Sequence, residues 1–191
     1  MPVDDTQFDL ETAHAMADAA REAIRPYFRT ELTVDNKHAS GFDPVTAADR
    51  ASEAAMRAVL ARRCPDDGIV GEEYGEQVGK TGRRWVLDPI DGTRAFIAGL
   101  PSWTVLIALE QSGRPTLGVI DQPHTGERFS GWPGGASLHH DGETRPMRVR
   151  QGARLNTAIL TTTDPYLFNG AEAEAFASVR EAVRLCRFGQ D

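Results

Sequence analysis

WVLDPIDGTRAFIAGLP, residues 85–101, decides how the chain is read. Trp85, Val86 and Leu87 form a short apolar run of the kind that fills a buried strand. Asp88 stands where that strand is expected to end, because Pro89 has no N–H for a ladder and should stop the sheet register. Asp91-Gly92-Thr93 then opens a predicted helix, with Asp91 in the N-cap position and Gly92 leaving room for a close visitor. Two carboxylates, Asp88 and Asp91, therefore meet where a strand gives way to a helix. Backbone N–H groups at such a start can hold a phosphate, and the acids can hold hard cations beside it. No structural role asks for so much negative charge in one turn.

Two further acidic clusters lie upstream, Asp43 with Asp49 and Glu72 with Glu73, each at the edge of a predicted element. Thr46-Ala47-Ala48-Asp49 reads as a capping box with an acid in place of the usual Glu or Gln. The helix it opens is expected to run to about Arg63, with Ala51, Ala55, Ala58 and Val59 inward, and Cys64-Pro65-Asp66-Asp67-Gly68 stops it. Ile69-Val70 is a short strand with Gly71-Glu72-Glu73 at its end, and Tyr74 to Arg84 a Gly-rich, charged loop. Nearer the start, Thr6 to about Arg29 has helical spacing. Phe8, Met16, Ala20, Ala23, Ile24 and Tyr27 share one face there, and Pro26 shortens the last turn. Residues 30–44 read as a polar loop or weak hairpin.

Beyond the central stretch the character turns to β. Strands are expected at Trp103–Leu109, Pro115–Ile120, Glu127–Ser130, Ala136–Leu138, Met147–Val149 and Asn156–Thr161. Turns fall at Gln111-Ser112-Gly113, Thr125-Gly126 and Asp141-Gly142. An amphipathic helix over Ala171–Val183 and a last strand over Leu185–Phe188 follow. Such a mixture predicts a layered α/β sandwich.

The 191 residues, 40% hydrophobic and 26% charged, suit one or two globular domains with a real core. A formal net charge of -7 argues against a general nucleic-acid binder, which would show a basic footprint. A phosphate substrate stays open, because cations invert the local field. Cys64 and Cys186 stand far apart and in no metal spacing, and read as buried thiols of a reducing compartment. The acidic start MPVDDTQFDL lacks a signal pattern, and the longest apolar run is too short to cross a bilayer. The expectation is a soluble cytoplasmic protein with no membrane partner. The five histidines show no ligand spacing beside the acids, and His139-His140 before Asp141-Gly142 reads as a surface turn.

Taken together, DPVTAAD (Asp43 to Asp49), GEE (Gly71 to Glu73) and WVLDPIDGT (Trp85 to Thr93) resemble the inositol monophosphatase family in order and spacing. The likeness runs over essentially the whole chain. It implies an αβαβα sandwich and a Mg²⁺-dependent, lithium-sensitive phosphomonoesterase with two or three cation sites. It further implies that Glu72 ligates metal and helps hold the attacking water. Asp88 would bridge two metals, Ile90 offer its carbonyl, and Asp91 ligate the second metal. Thr93 would hydrogen-bond the water, with Asp49 also assigned to the catalytic set. Gly92 and Thr93 would present N–H groups to the phosphate. Asp49 and Glu73 would belong to an outer ring or a weaker third site, with Asp43 supporting. All-oxygen ligands favour Mg²⁺ over zinc.

Arg94 and the Phe96-Ile97-Ala98-Gly99 run resemble the histidinol-phosphate phosphatase branch, as do residues 161–165 with Phe168 and Arg187 to Asp191. The resemblance implies histidinol phosphate as substrate, in histidine biosynthesis, with Arg94 and Asp191 beside the substrate. Inositol 1-phosphate is the alternative, and 3′-phosphoadenosine 5′-phosphate a more distant third. Family members usually continue into a Trp-Asp motif that completes the second metal site, whereas this sequence stops at Asp191. The expectation is one domain over residues 1–191, incomplete at its C-terminus. Residues 1–130 would form the metal-site half and 131–191 the start of a second α/β half. Weakened metal affinity, low activity and uncovered apolar surface should follow. The alternative of another class is an inactive metal-binding remnant. By the same resemblance, a homodimer is the assembly to test.

Overall fold

The computed structural model describes residues 3–31, 34–36 and 44–189, so Asp43 and Asp191 lie outside the described residues. Two compact units divide at Met147/Arg148. In the first, helix α1 (Val3–Ile24) ends two residues before Pro26, whose ring disfavours a helical residue ahead of it. Strands β1 (Val34–Asn36) and β2 (Pro44–Thr46) pair antiparallel, in the region read as a polar loop or weak hairpin. Helix α2 (Ala47–Arg63) follows at once. The capping box is present: Thr46 Oγ1 accepts from Ala48 N–H at 3.1 Å, and Asp49 Oδ2 accepts from Thr46 N–H at 2.8 Å. Thr46→Ala should therefore cost about 1–2 kcal/mol in urea unfolding, and Thr46→Ser should recover most of it.

The inward face of α2 is not the predicted alanine stripe. Ser52, Glu53, Met56, Val59 and Leu60 are buried, whereas Ala51 and Ala55 are half-buried and Ala58 is exposed. Met56, Val59 and Leu60 supply more apolar area than alanine, and the polar pair has partners described below. On α1, Met16, Ala20 and Ile24 are buried as expected, but Phe8 is exposed and carries the Arg63 guanidinium 5.0 Å above its ring.

An eight-stranded sheet forms the other layer. After β3 (Gly68–Gly71) come β4 (Gly75–Gln77), β5 (Arg83–Asp91), β6 (Thr104–Gln111), β7 (Arg114–Gln122), β8 (Glu127–Trp132), β9 (Gly135–His140) and β10 (Glu143–Pro146). The spatial order is β10-β9-β8-β7-β6-β5-β3-β4, with only the β3–β5 contact parallel. Tyr74 to Arg84 thus contains an edge strand instead of being all loop. The expected strand at Met147–Val149 lies earlier, at Glu143–Pro146, although Met147 N–H still reaches Ala136 O at 2.8 Å. Ser112-Gly113 and Asp141-Gly142 turn with φ of 54°, 74°, 51° and 78°, the positive pairs that match the twist of adjoining strands.

One face of the sheet carries the core. Trp85, Leu87, Val105, Ile107 and Leu109 alternate inward and pack against Met16, Ala20, Ile24, Met56 and Leu60. The opposite face holds an open apolar trough of about 650 Å³, which Val86, Leu106, Ala108, Ile120, Phe129 and Met147 line. Val86 and Ile120 there are 37% and 46% exposed. Among the described residues no helix is long and apolar enough to cross a membrane.

The second unit is a small parallel βαβ. Strand β11 (Ile159–Thr162) pairs with β12 (Leu185–Phe188) across a helix over Ala171–Ala182, and Phe176 stacks on Phe168 at 4.7 Å. Cys64 and Cys186 are free and half-buried. The two chain units together carry the mixed α/β character that the sequence implies.

Candidate active site

Strand β5 does not stop at Pro89, and Asp91 is not a helix cap. Asp88 lies opposite Leu106 and Asp91 opposite Thr104, so β5 advances three residues while β6 advances two. Pro89 and Ile90 absorb the extra residue as a bulge, where a missing N–H does no harm. The bulge has a consequence for the acids. Residues three apart on a regular strand face opposite ways, but Leu106 and Thr104 share a face, so their partners Asp88 and Asp91 do too. That face is the one turned away from α1 and α2.

Strand β3 brings the third acid. Its Gly71 pairs with Leu87 in parallel register, and Glu72 N–H donates to Leu87 O at 3.3 Å. Glu72 therefore leaves the end of β3 beside Asp88, outside the carboxyl ends of two adjacent parallel strands, a common location for ligands. The electrostatics record the convergence. Burial, the charge of Glu72, a hydrogen bond with Glu72 and the charge of Asp91 together push the Asp88 carboxyl up to about 8. Asp88 Oδ1 is buried with no hydrogen-bond partner among the described residues.

Gly92, not Asp91, precedes the short helix α3 (Thr93–Ile97), because Asp91 is still held in the sheet. Gly92 turns the chain with φ 85° and ψ 38°, a conformation costly to any residue bearing a Cβ. Thr93 Oγ1 donates to Ile90 O at 3.1 Å, closing the loop on itself. Arg94 is exposed. Inward from the turn, Phe96 meets Trp103 edge to face at 4.9 Å, which anchors the helix on the core.

Asp49 is buried and gives Oδ2 to the Thr46 N–H and hydroxyl, so part of its carboxylate serves the cap. Glu73 is half-buried, and its N–H donates to Glu53 Oε2 at 2.6 Å. His139 and His140 end β9 and bond to Thr144 and the Thr125 carbonyl, away from the acids in the ladder.

Sequence reasoning missed what holds the site. Ser52 Oγ donates to Pro89 O at 3.4 Å, at the bulge. Glu53 and Arg57 grip the turn that follows Glu72. A signal was available: Asp49, Glu53 and Arg57 repeat every four residues, a charged line on the side of the helix opposite the predicted alanine face.

The donor set suits a hard cation. Glu72, Asp88 and Asp91 offer carboxylate oxygens and Ile90 a carbonyl, all of the kind Mg²⁺ prefers. An orphaned buried carboxylate oxygen and an acid raised by two like charges are both relieved by a divalent ion. Among the described residues no three acid, histidine or cysteine side chains already stand closed around one point.

The described fold is that of one known family. Residues 5–185 match the inositol monophosphatase family, and the chain belongs to it. It is 39% identical over 191 residues to the bifunctional phosphatase IMPL2, chloroplastic, of Arabidopsis thaliana, covering 98% of this chain and 54% of that protein. It is 43% identical over 157 residues to the histidinol-phosphatase of Mycobacterium tuberculosis, covering 80% of this chain and 59% of the relative. The inositol monophosphatase structure from Zymomonas mobilis superposes with a TM-score of 0.80 at 43% identity, over 100% of this chain and 71% of the other. The chain thus spans a little over half the length of these two curated relatives.

Proposed function

We propose that this chain carries the site of a Mg²⁺-dependent phosphomonoester hydrolase acting on histidinol phosphate. The single observation behind the reading is the bulge at Pro89-Ile90, which sets Asp88 and Asp91 on one face beside Glu72. Glu72, Asp88, Asp91 and the Ile90 carbonyl would hold two or three cations. Bound Mg²⁺ supplies a more acidic water and neutralises charge on the phosphate. The Thr93 hydroxyl donates its hydrogen bond to Ile90 O, so toward a water it would act as acceptor and orient it. Gly92 and Thr93 N–H groups would face the phosphate, with Arg94 toward the rest of the substrate. Asp49 and Glu73 would support this set from outside.

The histidinol-phosphatase relative supports the substrate, and the inositol monophosphatase neighbour supports inositol 1-phosphate as the alternative. Turnover measured side by side on both esters decides. The expected result is at least about tenfold higher kcat/KM for histidinol phosphate, roughly 1.4 kcal/mol of discrimination. A preference for inositol phosphate overturns the choice. The remnant reading draws on the shared length. A Mg²⁺-dependent rise in Tm with no phosphate released from either ester would favour it. Assembly as a homodimer belongs to the same proposal and is read by sedimentation.

A further inference from the structure

Glu53 lies on α2, outside every acidic run that the sequence marks, and none of its side chain reaches solvent. Its oxygens are fully spent. Oε2 accepts from Glu73 N–H at 2.6 Å, and Oε1 accepts from Tyr74 N–H at 3.2 Å and from Arg57 Nε at 2.8 Å. Arg57 Nη2 goes on to the Gly75 carbonyl at 2.5 Å. Two side chains one helical turn apart thus hold residues 73, 74 and 75 by their main chain. The residue on which that turn pivots is Glu72.

Gly71 tells the same story from the other side. A Cβ built there would overlap Glu53 Oε1 and crowd Arg57 Nη2 at 2.7 Å. Gly71 is absent from the positive-φ glycines, so it is needed for room and not for conformation. A buried carboxylate is kept only where donors surround it. Here most of those donors belong to the turn bearing Glu72.

We propose that Glu53 is a positioning residue: through the Glu73 and Tyr74 amides, and with Arg57, it presents Glu72 to Asp88. The inference rests on the cation-site reading above. Glu53→Gln places an NH₂ group against a main-chain N–H and should weaken Mg²⁺ binding by about tenfold, as loss of support behind a ligand does. Isothermal titration with Mg²⁺ alone reads this, with urea unfolding to establish that the variant is folded. On a turned-over ester, kcat should fall while KM changes less than about twofold, since the substrate is not touched. Gly71→Ala should reproduce the defect by displacing the carboxylate. In a Glu53→Ala background, Gly71→Ala should add little, because the carboxylate it overlaps is gone and only the tip of Arg57 has to move. A folded Glu53→Gln or Gly71→Ala chain that binds Mg²⁺ within about twofold of the parent overturns the proposal. Glu72→Gln separates the two failures. If it loses Mg²⁺ while Glu53→Gln keeps it, only the positioning role falls; if Glu72→Gln binds normally, the cation-site reading falls with it.

Discussion

Asp88→Asn is expected to abolish Mg²⁺-linked stabilisation and to lower phosphate release by about 100- to 1,000-fold. Asn keeps an oxygen at the bulge but removes the charge on which Glu72 and Asp91 converge. The same variant has an opposite effect on the metal-free protein. The Asp88 carboxyl titrates near 8 in the fold, against an ordinary value of 3.8. The folded chain therefore binds more protons than the unfolded chain between those limits, and its stability falls as pH rises through them. Below about pH 4 both states are protonated and the penalty is absent; above about pH 8 it is complete. Asp88→Asn removes this term, so its Tm without Mg²⁺ should exceed that of the parent at pH 8 and match it near pH 4. Thermal melts of both chains with EDTA, then with Mg²⁺, test the pair of effects. An Asp88→Asn chain that is still stabilised by Mg²⁺ as the parent is would remove the basis of the site.

The largest loss of stability should come from a place far from chemistry, Asp121. Its side chain is fully enclosed. Oδ1 accepts from Arg21 Nη2 and from Arg128 Nε, both at 2.7 Å, and Oδ2 accepts from Arg21 Nε at 3.2 Å. Arg128 also reaches Asp18 at 2.6 Å. One carboxylate on β7 thus ties α1 to two adjacent strands. Asp121→Ala leaves two guanidinium groups facing each other with their common counter-charge gone, which costs about 3–5 kcal/mol, or roughly 10 °C in Tm. Asp121→Asn retains an acceptor and should lose less. Urea unfolding that puts Asp121→Ala within about 1 kcal/mol of the parent would mean that solvent reaches the arginines.

Much of this was legible in residues. Thr46-x-x-Asp49 announces the start of α2, and the observed helix begins and ends where the pattern places it. Asp141-Gly142 and Ser112-Gly113 announce hairpins because few other pairs tolerate two positive φ values. The DPID turn was misread in detail for a physical reason. Pro89 does forbid a ladder bond, but a bulge can step over it, and only the partner strand reveals that the register resumes at Asp91. The inward face of α2 was misread because alanine is the safer guess for burial. Besides Arg57 one turn on, Glu53 becomes acceptable inside through amides 20 and 21 residues away, and no local window contains them. Asp43 and Asp191 lie outside the described residues.

The trough beside Asp88 bears on how firmly any ion is held. Its walls are hydrocarbon and it is open along its length, and solvent in an open groove screens charges at its end. Coulomb attraction scales inversely with the local dielectric constant, so any layer that dried this floor would sharpen the pull of Asp88 on a cation severalfold without altering one ligand. Hydration of the bare β-face is in that sense a dial on the metal site.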